Sequence, residues 1–107
     1  MAEPIDADDA SLERIVREAT APVIVDFHAD WCAPCRMMAP ALAELATRRA
    51  GRALVVKVDT DRSPTMAIRY AIRGIPTVIV FRDGREVARR VGAVPLARLE
   101  ELLDAGA

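Results

Sequence analysis

In the stretch Pro22-Val23-Ile24-Val25-Asp26-Phe27-His28-Ala29-Asp30-Trp31-Cys32-Ala33-Pro34-Cys35, a short apolar, β-branched run gives way to a Cys-x-x-Cys pair, and a helical pattern follows. The run from Pro22 to Phe27 has the length and residue types of a buried strand. Both cysteines of the chain lie here, so within the chain they can pair only with each other. At i, i+3 at the start of a helix they share one face, with Cα atoms roughly 5 Å apart, inside the disulfide range of about 4.4–6.8 Å. A bond closing so small a loop stabilises by only roughly 2 kcal/mol, against about 4.7 kcal/mol for a loop of about 100 residues. Such a poor staple reads as a bond to be made and broken.

Outward from this point the pattern alternates between helix and strand. Before it, Leu12, Ile15, Val16 and Ala19 fall at helical spacing after Asp8-Asp9, which suits a helix N-terminus. After it, Pro34 to Ala50 reads as a helix with Met38, Leu42 and Leu45 on one stripe and Pro40 as an internal kink. Ala53 to Val58 is a second buried strand. Asp59 to Tyr70 reads as a short helix capped by Ser63 or Asp61. Thr77 to Phe81 and Glu86 to Val91 form a hairpin about Asp83-Gly84, and Pro95 to Leu103 closes the chain as an amphipathic helix. With a short strand around Ile5, the expectation is an α/β domain, residues 1–107, with a central mixed β-sheet of about five strands flanked by four α-helices.

The chain has 107 residues, 52% of them hydrophobic, and a net charge of −1. That is enough apolar material for a core without disulfide scaffolding. The balanced charge argues against nucleic acid or an anionic membrane as partner. The segment Met1 to Asp9 is acidic and lacks the order of a signal peptide. No apolar run approaches the roughly 18 residues of a membrane span. The expected setting is the cytoplasm, where a Cys-x-x-Cys is redox-active, catalytic or metal-binding.

Chemistry concentrates around the thiols. With Pro34 in the first helical turn, Cys32 falls at the N-cap, where free N–H groups and the helix dipole stabilise a thiolate. Cys35, one turn in, is expected to be the more buried, resolving thiol. Asp26 interrupts the first apolar strand. Lys57, the only lysine beside fourteen arginines, interrupts the second. If these strands are neighbours, a desolvated Asp26 has a raised pKa that Lys57 moderates, which makes it a candidate base for Cys35. A structural buried ion pair is the other reading. Pro76, opening the third apolar strand, removes a backbone donor and leaves neighbouring backbone free to accept an extended segment. Only about 5–6% of X-Pro bonds are cis, so composition alone favours trans.

The stretches Val25 to Pro40, Val56-Lys57-Val58-Asp59, Tyr70 to Thr77, Phe81-Arg82-Asp83-Gly84 and Val91-Gly92-Ala93 together resemble the thioredoxin family over nearly the whole chain. The resemblance implies a thioredoxin fold and reduction of protein disulfides with electrons from a thioredoxin reductase. A monomer is the default expectation, with no cofactor beyond the Cys32–Cys35 disulfide. By position, Cys32 is the nucleophile, Cys35 the resolving thiol, Asp26 the buried base, Lys57 its partner and Pro76 a cis-proline beside the thiols. Trp31, Ala33, Pro34, Gly74, Ile75, Gly92 and Ala93 match the apolar surface where substrate proteins dock.

Two positions depart from the family pattern. Ala33 stands where glycine is usual and stiffens the first helical turn. His28, the only histidine, stands where tryptophan is usual. It is either a half-buried strand-end residue or a pH-dependent influence on Cys32 or Asp26. Met38 reads as core and Met37 as docking surface, while the pairs Arg48-Arg49 and Arg89-Arg90 read as solvated faces. Two other functions compete with the oxidoreductase. One is a binding module or chaperone that uses the docking surface alone. The other is a zinc site through His28, Cys32 and Cys35, disfavoured because one Cys-x-x-Cys supplies only two thiolate ligands.

Overall fold

A computed structural model describes residues 2–107. In chain order the elements are β1 (Ile5–Asp6), α1 (Asp9–Glu18), β2 (Val23–His28), α2 (Ala33–Arg48), β3 (Leu54–Asp59), α3 (Pro64–Arg69), β4 (Thr77–Arg82), β5 (Arg85–Val91) and α4 (Leu96–Leu103). The strands form one sheet in the order β1-β3-β2-β4-β5. β2 runs parallel to β3, with α2 as the crossover that a parallel pair requires. It runs antiparallel to β4 on its other side. The expected α/β architecture, a mixed five-stranded sheet with four helices, is the one observed among the described residues.

The alternation of side chains along β2 assigns the two faces. Val23, Val25 and Phe27 meet Leu12 and Val16 of α1 and Met66 of α3. Ile24 faces the other way, against Met38, Leu42 and Leu45 of α2 and Leu99 and Leu103 of α4. Each fully buried side chain of this size contributes about 1.5–3 kcal/mol. By the same alternation, Asp26 and His28 follow Ile24 onto the face that α2 covers. An ionisable group therefore occupies a core position, directly opposite Lys57 in the β2–β3 register.

Local chemistry explains most element ends. Asp8 caps α1 in a reciprocal arrangement with Ser11. The hairpin turns at Asp83 (φ 53°) and Gly84 (φ 79°), the left-handed pair that a two-residue loop demands. Helix α2 continues unbroken through Pro40, whose missing N–H removes one ladder bond.

The start of α3 differs from expectation. Ser63 is its N-cap residue but makes no side-chain capping bond, and Asp61 is not the cap. Instead the carboxylate of Asp9, in the first turn of α1, accepts the backbone N–H groups of Thr65 (3.2 Å) and Met66 (2.8 Å). A side chain from one helix thus satisfies the orphan donors of another.

Candidate active site

Cys32 is the N-cap residue of α2, in an extended conformation (φ −86°, ψ 106°), and Ala33 and Pro34 begin the helix. The strand thus ends and the helix starts within a few residues, as the tolerated proline position allows. The backbone N–H of Cys35 donates to Cys32 Sγ at 3.2 Å. This is the contact that stabilises negative charge on sulfur at a helix N-terminus. Cys32 and Cys35 are joined as a disulfide with a Cα–Cα distance of 5.2 Å.

The two cysteines are equally enclosed, at 3% and 4% residue exposure. The expectation that Cys35 would be the more buried does not hold for this oxidised pair. Both pack with Ala29, and Ile75 packs against this cluster.

Ile75 comes from the segment leading into β4. Because β4 runs antiparallel to β2, with Phe27 opposite Thr77, its start lies beside the end of β2. The Ile75–Pro76 peptide is cis, and the Ile75 carbonyl oxygen lies 3.8 Å from Cys32 Sγ. Thr77 Oγ1 donates to the Gly74 carbonyl, and the Gly92 N–H donates to the Pro76 carbonyl at 2.8 Å. Gly74, Ile75, Pro76 and Gly92 are therefore held as one unit next to the thiols.

A groove of about 490 Å³ opens on Cys32. Trp31, Ala33, Pro34, Gly74 and Ile75 form its near walls. Thr60, Ala67, Ile72 and Arg73 extend it towards α3, and none of the four is among the residues expected at the docking surface. Gly92 and Ala93 do not line this groove; the Gly92–Pro76 bond ties that corner in from the β5 side. Trp31 is 69% exposed, yet its indole N–H donates to Asp61 Oδ2 at 2.9 Å. Met37 is exposed and Met38 buried.

On the inner side of the thiols, Asp26 is 1% exposed and neither carboxylate oxygen has a hydrogen-bond partner. Burial raises its pKa to about 7, and the nearby Lys57 charge opposes that rise. Lys57 thus acts on Asp26 through space, without a direct ion pair. His28 is half-buried. Burial and Lys57 push its pKa below the usual value, against the pull of Asp59, Asp30 and Asp6. Among the described residues, no group of three or more His, Cys, Asp or Glu is arranged to hold a metal ion.

The sequence model of the thioredoxin family matches residues 3–105. The chain belongs to the thioredoxin family. It is 48% identical over 96 residues to thioredoxin 1 of Synechococcus elongatus, covering 90% of each chain. It is 45% identical over 97 residues to a thioredoxin of Rhodospirillum rubrum, covering 91% of this chain and 93% of that one. A chloroplastic M-type thioredoxin of Zea mays is 44% identical over 102 residues, 95% of this chain and 61% of the maize protein. Membership together with the Cys32–Cys35 pair gives the site the arrangement of a thioredoxin dithiol–disulfide oxidoreductase. Among the described residues no helix is long and apolar enough to cross a membrane.

Proposed function

We propose that this protein reduces disulfides in substrate proteins through a Cys32/Cys35 cycle. The Cys32 thiolate attacks one sulfur of a substrate disulfide docked in the groove, forming a mixed disulfide and releasing the other substrate sulfur as a thiolate. Cys35 then loses its proton and attacks Cys32 Sγ. The Cys32–substrate bond breaks, the Cys32–Cys35 bond forms, and the second substrate sulfur leaves with the electron pair. The dithiol is oxidised by two electrons and the substrate disulfide reduced by two.

Asp26 is the proton acceptor for Cys35. A carboxylate whose pKa lies near 7 is matched to that task at neutral pH. Lys57, opposite it, keeps the ionised form accessible. The segment Gly74-Ile75-Pro76 and Trp31 receive the substrate backbone, and Ala33 at the first helical position adjusts the stiffness of the turn. Recycling falls to a thioredoxin reductase supplied with NADPH, and the protein works as a cytoplasmic monomer in electron transfer to protein thiols.

The observation that carries this reading is the Cys35 N–H on Cys32 Sγ at the head of α2, beside a groove that opens on the same sulfur. Insulin reduction driven by NADPH and thioredoxin reductase tests it. Wild type should precipitate insulin B chain and Cys32→Ser should not. Equal rates for the two would sink the oxidoreductase assignment and leave docking without redox chemistry.

A further inference from the structure

Two openings on the side away from the substrate groove share a wall. The inner one, about 140 Å³, is lined by Cys35, Ala29, Arg36 and Ala39 together with His28, Asp30 and Lys57. The outer one, about 600 Å³, is a basin with Asp6, Asp8, Asp59 and Arg62 around it, and His28, Asp30 and Lys57 belong to it as well. The inner opening mixes polar and apolar walls and has room for several water molecules, with His28, Asp30, Arg36 and Lys57 as polar wall residues. Cys35 thus reaches solvent by a route that does not pass through the docking groove, which a bound substrate covers.

We infer that His28 is the proton relay on this route, passing the proton that leaves Cys35 and Asp26 to the outer basin. The inference rests on Cys35 as resolving thiol and Asp26 as its base. Of the three shared wall residues, Lys57 carries an ammonium with no lone pair to receive a proton. Asp30 turns to solvent with its side chain 79% exposed. Only His28 offers both a basic and a donating ring nitrogen. It also stands two positions after Asp26 on the same face of β2.

The charges around His28 come from every neighbouring element. From β3 it faces Lys57 and Asp59, and from β1 Asp6. Asp30 adjoins it from the loop after β2, where Arg36 Nη1 of α2 donates to the Asp30 carbonyl. Asp8 and Arg62 complete the outer rim, with Arg62 paired to Asp30 and Asp59. Burial and the Lys57 charge lower the proton affinity of the imidazole, so a proton that reaches it is readily passed on. The acidic rim then accepts the positive charge.

In the resolving reaction, Cys35 S–H gives its proton to Asp26, and its electron pair forms the bond to Cys32 Sγ. The substrate thiolate leaves with the pair from the broken mixed disulfide. Asp26 then returns its proton through cavity water to His28, which donates from its other nitrogen to solvent.

The test is stopped-flow reaction of the reduced, full-length protein with 5,5′-dithiobis(2-nitrobenzoate), which releases one chromophore when Cys32 attacks and a second when Cys35 resolves. In His28→Gln, which keeps a polar side chain but cannot carry a proton, the second phase should slow at least about tenfold at pH 7 while the first is unchanged. In His28→Ala the same loss should be restored by added imidazole in proportion to its neutral fraction, and not by pyrazole, a ring of like shape and far weaker basicity. Variants that match wild type in the second phase, or a loss that pyrazole repairs as well as imidazole, would overturn the relay. A wild-type protein with no second phase would instead overturn Cys35 as resolving thiol, and the relay with it.

Discussion

Asp26 and Lys57 are partners across the β2–β3 ladder, yet both oxygens of the Asp26 carboxylate are buried without a hydrogen bond. The molecule holds a carboxyl group where its fold would be served better by a hydrocarbon. With Asp26 as the proposed base for Cys35, stability and reactivity draw on this one side chain in opposite directions.

Stability should depend on pH through Asp26, whose folded pKa is about 7, raised from 3.8. Below both values it is protonated folded and unfolded, and carries no penalty. Between them the unfolded chain ionises first, so stability falls as pH rises. Above about 7 the penalty is constant at about 4 kcal/mol, because each tenfold difference in proton affinity between the folded and unfolded chain is worth roughly 1.4 kcal/mol. Oxidised Asp26→Ala should therefore unfold at higher urea than wild type at pH 8. The gap should close as the pH is lowered towards 4, and a gap independent of pH would contradict the burial argument.

The same substitution should slow the chemistry. With the acceptor gone, the resolving step of Asp26→Ala should fall by about 10²-fold at pH 7, while formation of the mixed disulfide by Cys32 is spared. Rapid-quench trapping of the mixed disulfide checks this: the intermediate should accumulate in the variant. Cys35→Ser should accumulate it permanently.

Asp9 joins the N-terminus of α1 to that of α3. Asp9→Ala leaves two backbone donors without their acceptor and should cost about 1–2 kcal/mol in urea unfolding. With their acceptor gone, the amides of Thr65 and Met66 should also exchange faster. Protection unchanged at these two amides would show that the cap holds nothing in place.

Trp31 is the only tryptophan, and its ring is fixed by one hydrogen bond to Asp61 despite its exposure. Asp61→Ala should lower the fluorescence anisotropy of the indole and raise KM for a protein disulfide a few-fold. Stability should change by no more than about 0.5 kcal/mol, as for surface positions in general. Unchanged anisotropy would mean that packing, not the bond, orients the ring.

Much of this site is legible in the sequence because its chemistry is local. The cap position of Cys32 follows from the order strand, cysteine, proline, helix. Asp26 and Lys57 announce themselves by interrupting apolar strands, and consecutive strands joined by a helix lie side by side. What escapes is set by distance. Ser63 has the right chemistry to cap α3, but Asp9, far earlier in the chain, takes the donors. The bond from Trp31 to Asp61 and the rear of the groove at Ala67 and Ile72 likewise join segments that no local pattern links. His28 could be noticed as an isolated histidine, whereas its place between two openings depends on β1, β3 and α2 together. The relative burial of Cys32 and Cys35 was not legible because Ile75, just ahead of β4, packs against the cluster they form with Ala29.

Antiparallel pairing brings the end of β2, which leads to Cys32, beside the start of β4, which follows Pro76; the two are far apart in the chain and adjacent through that ladder. A nascent or partly unfolded polypeptide carries two ordinary thiols with no helix terminus to activate them and no neighbouring segment to receive a client. Activation of the thiol is thus tied to the completion of tertiary structure, and an immature copy exchanges disulfides only at the pace of an ordinary cysteine.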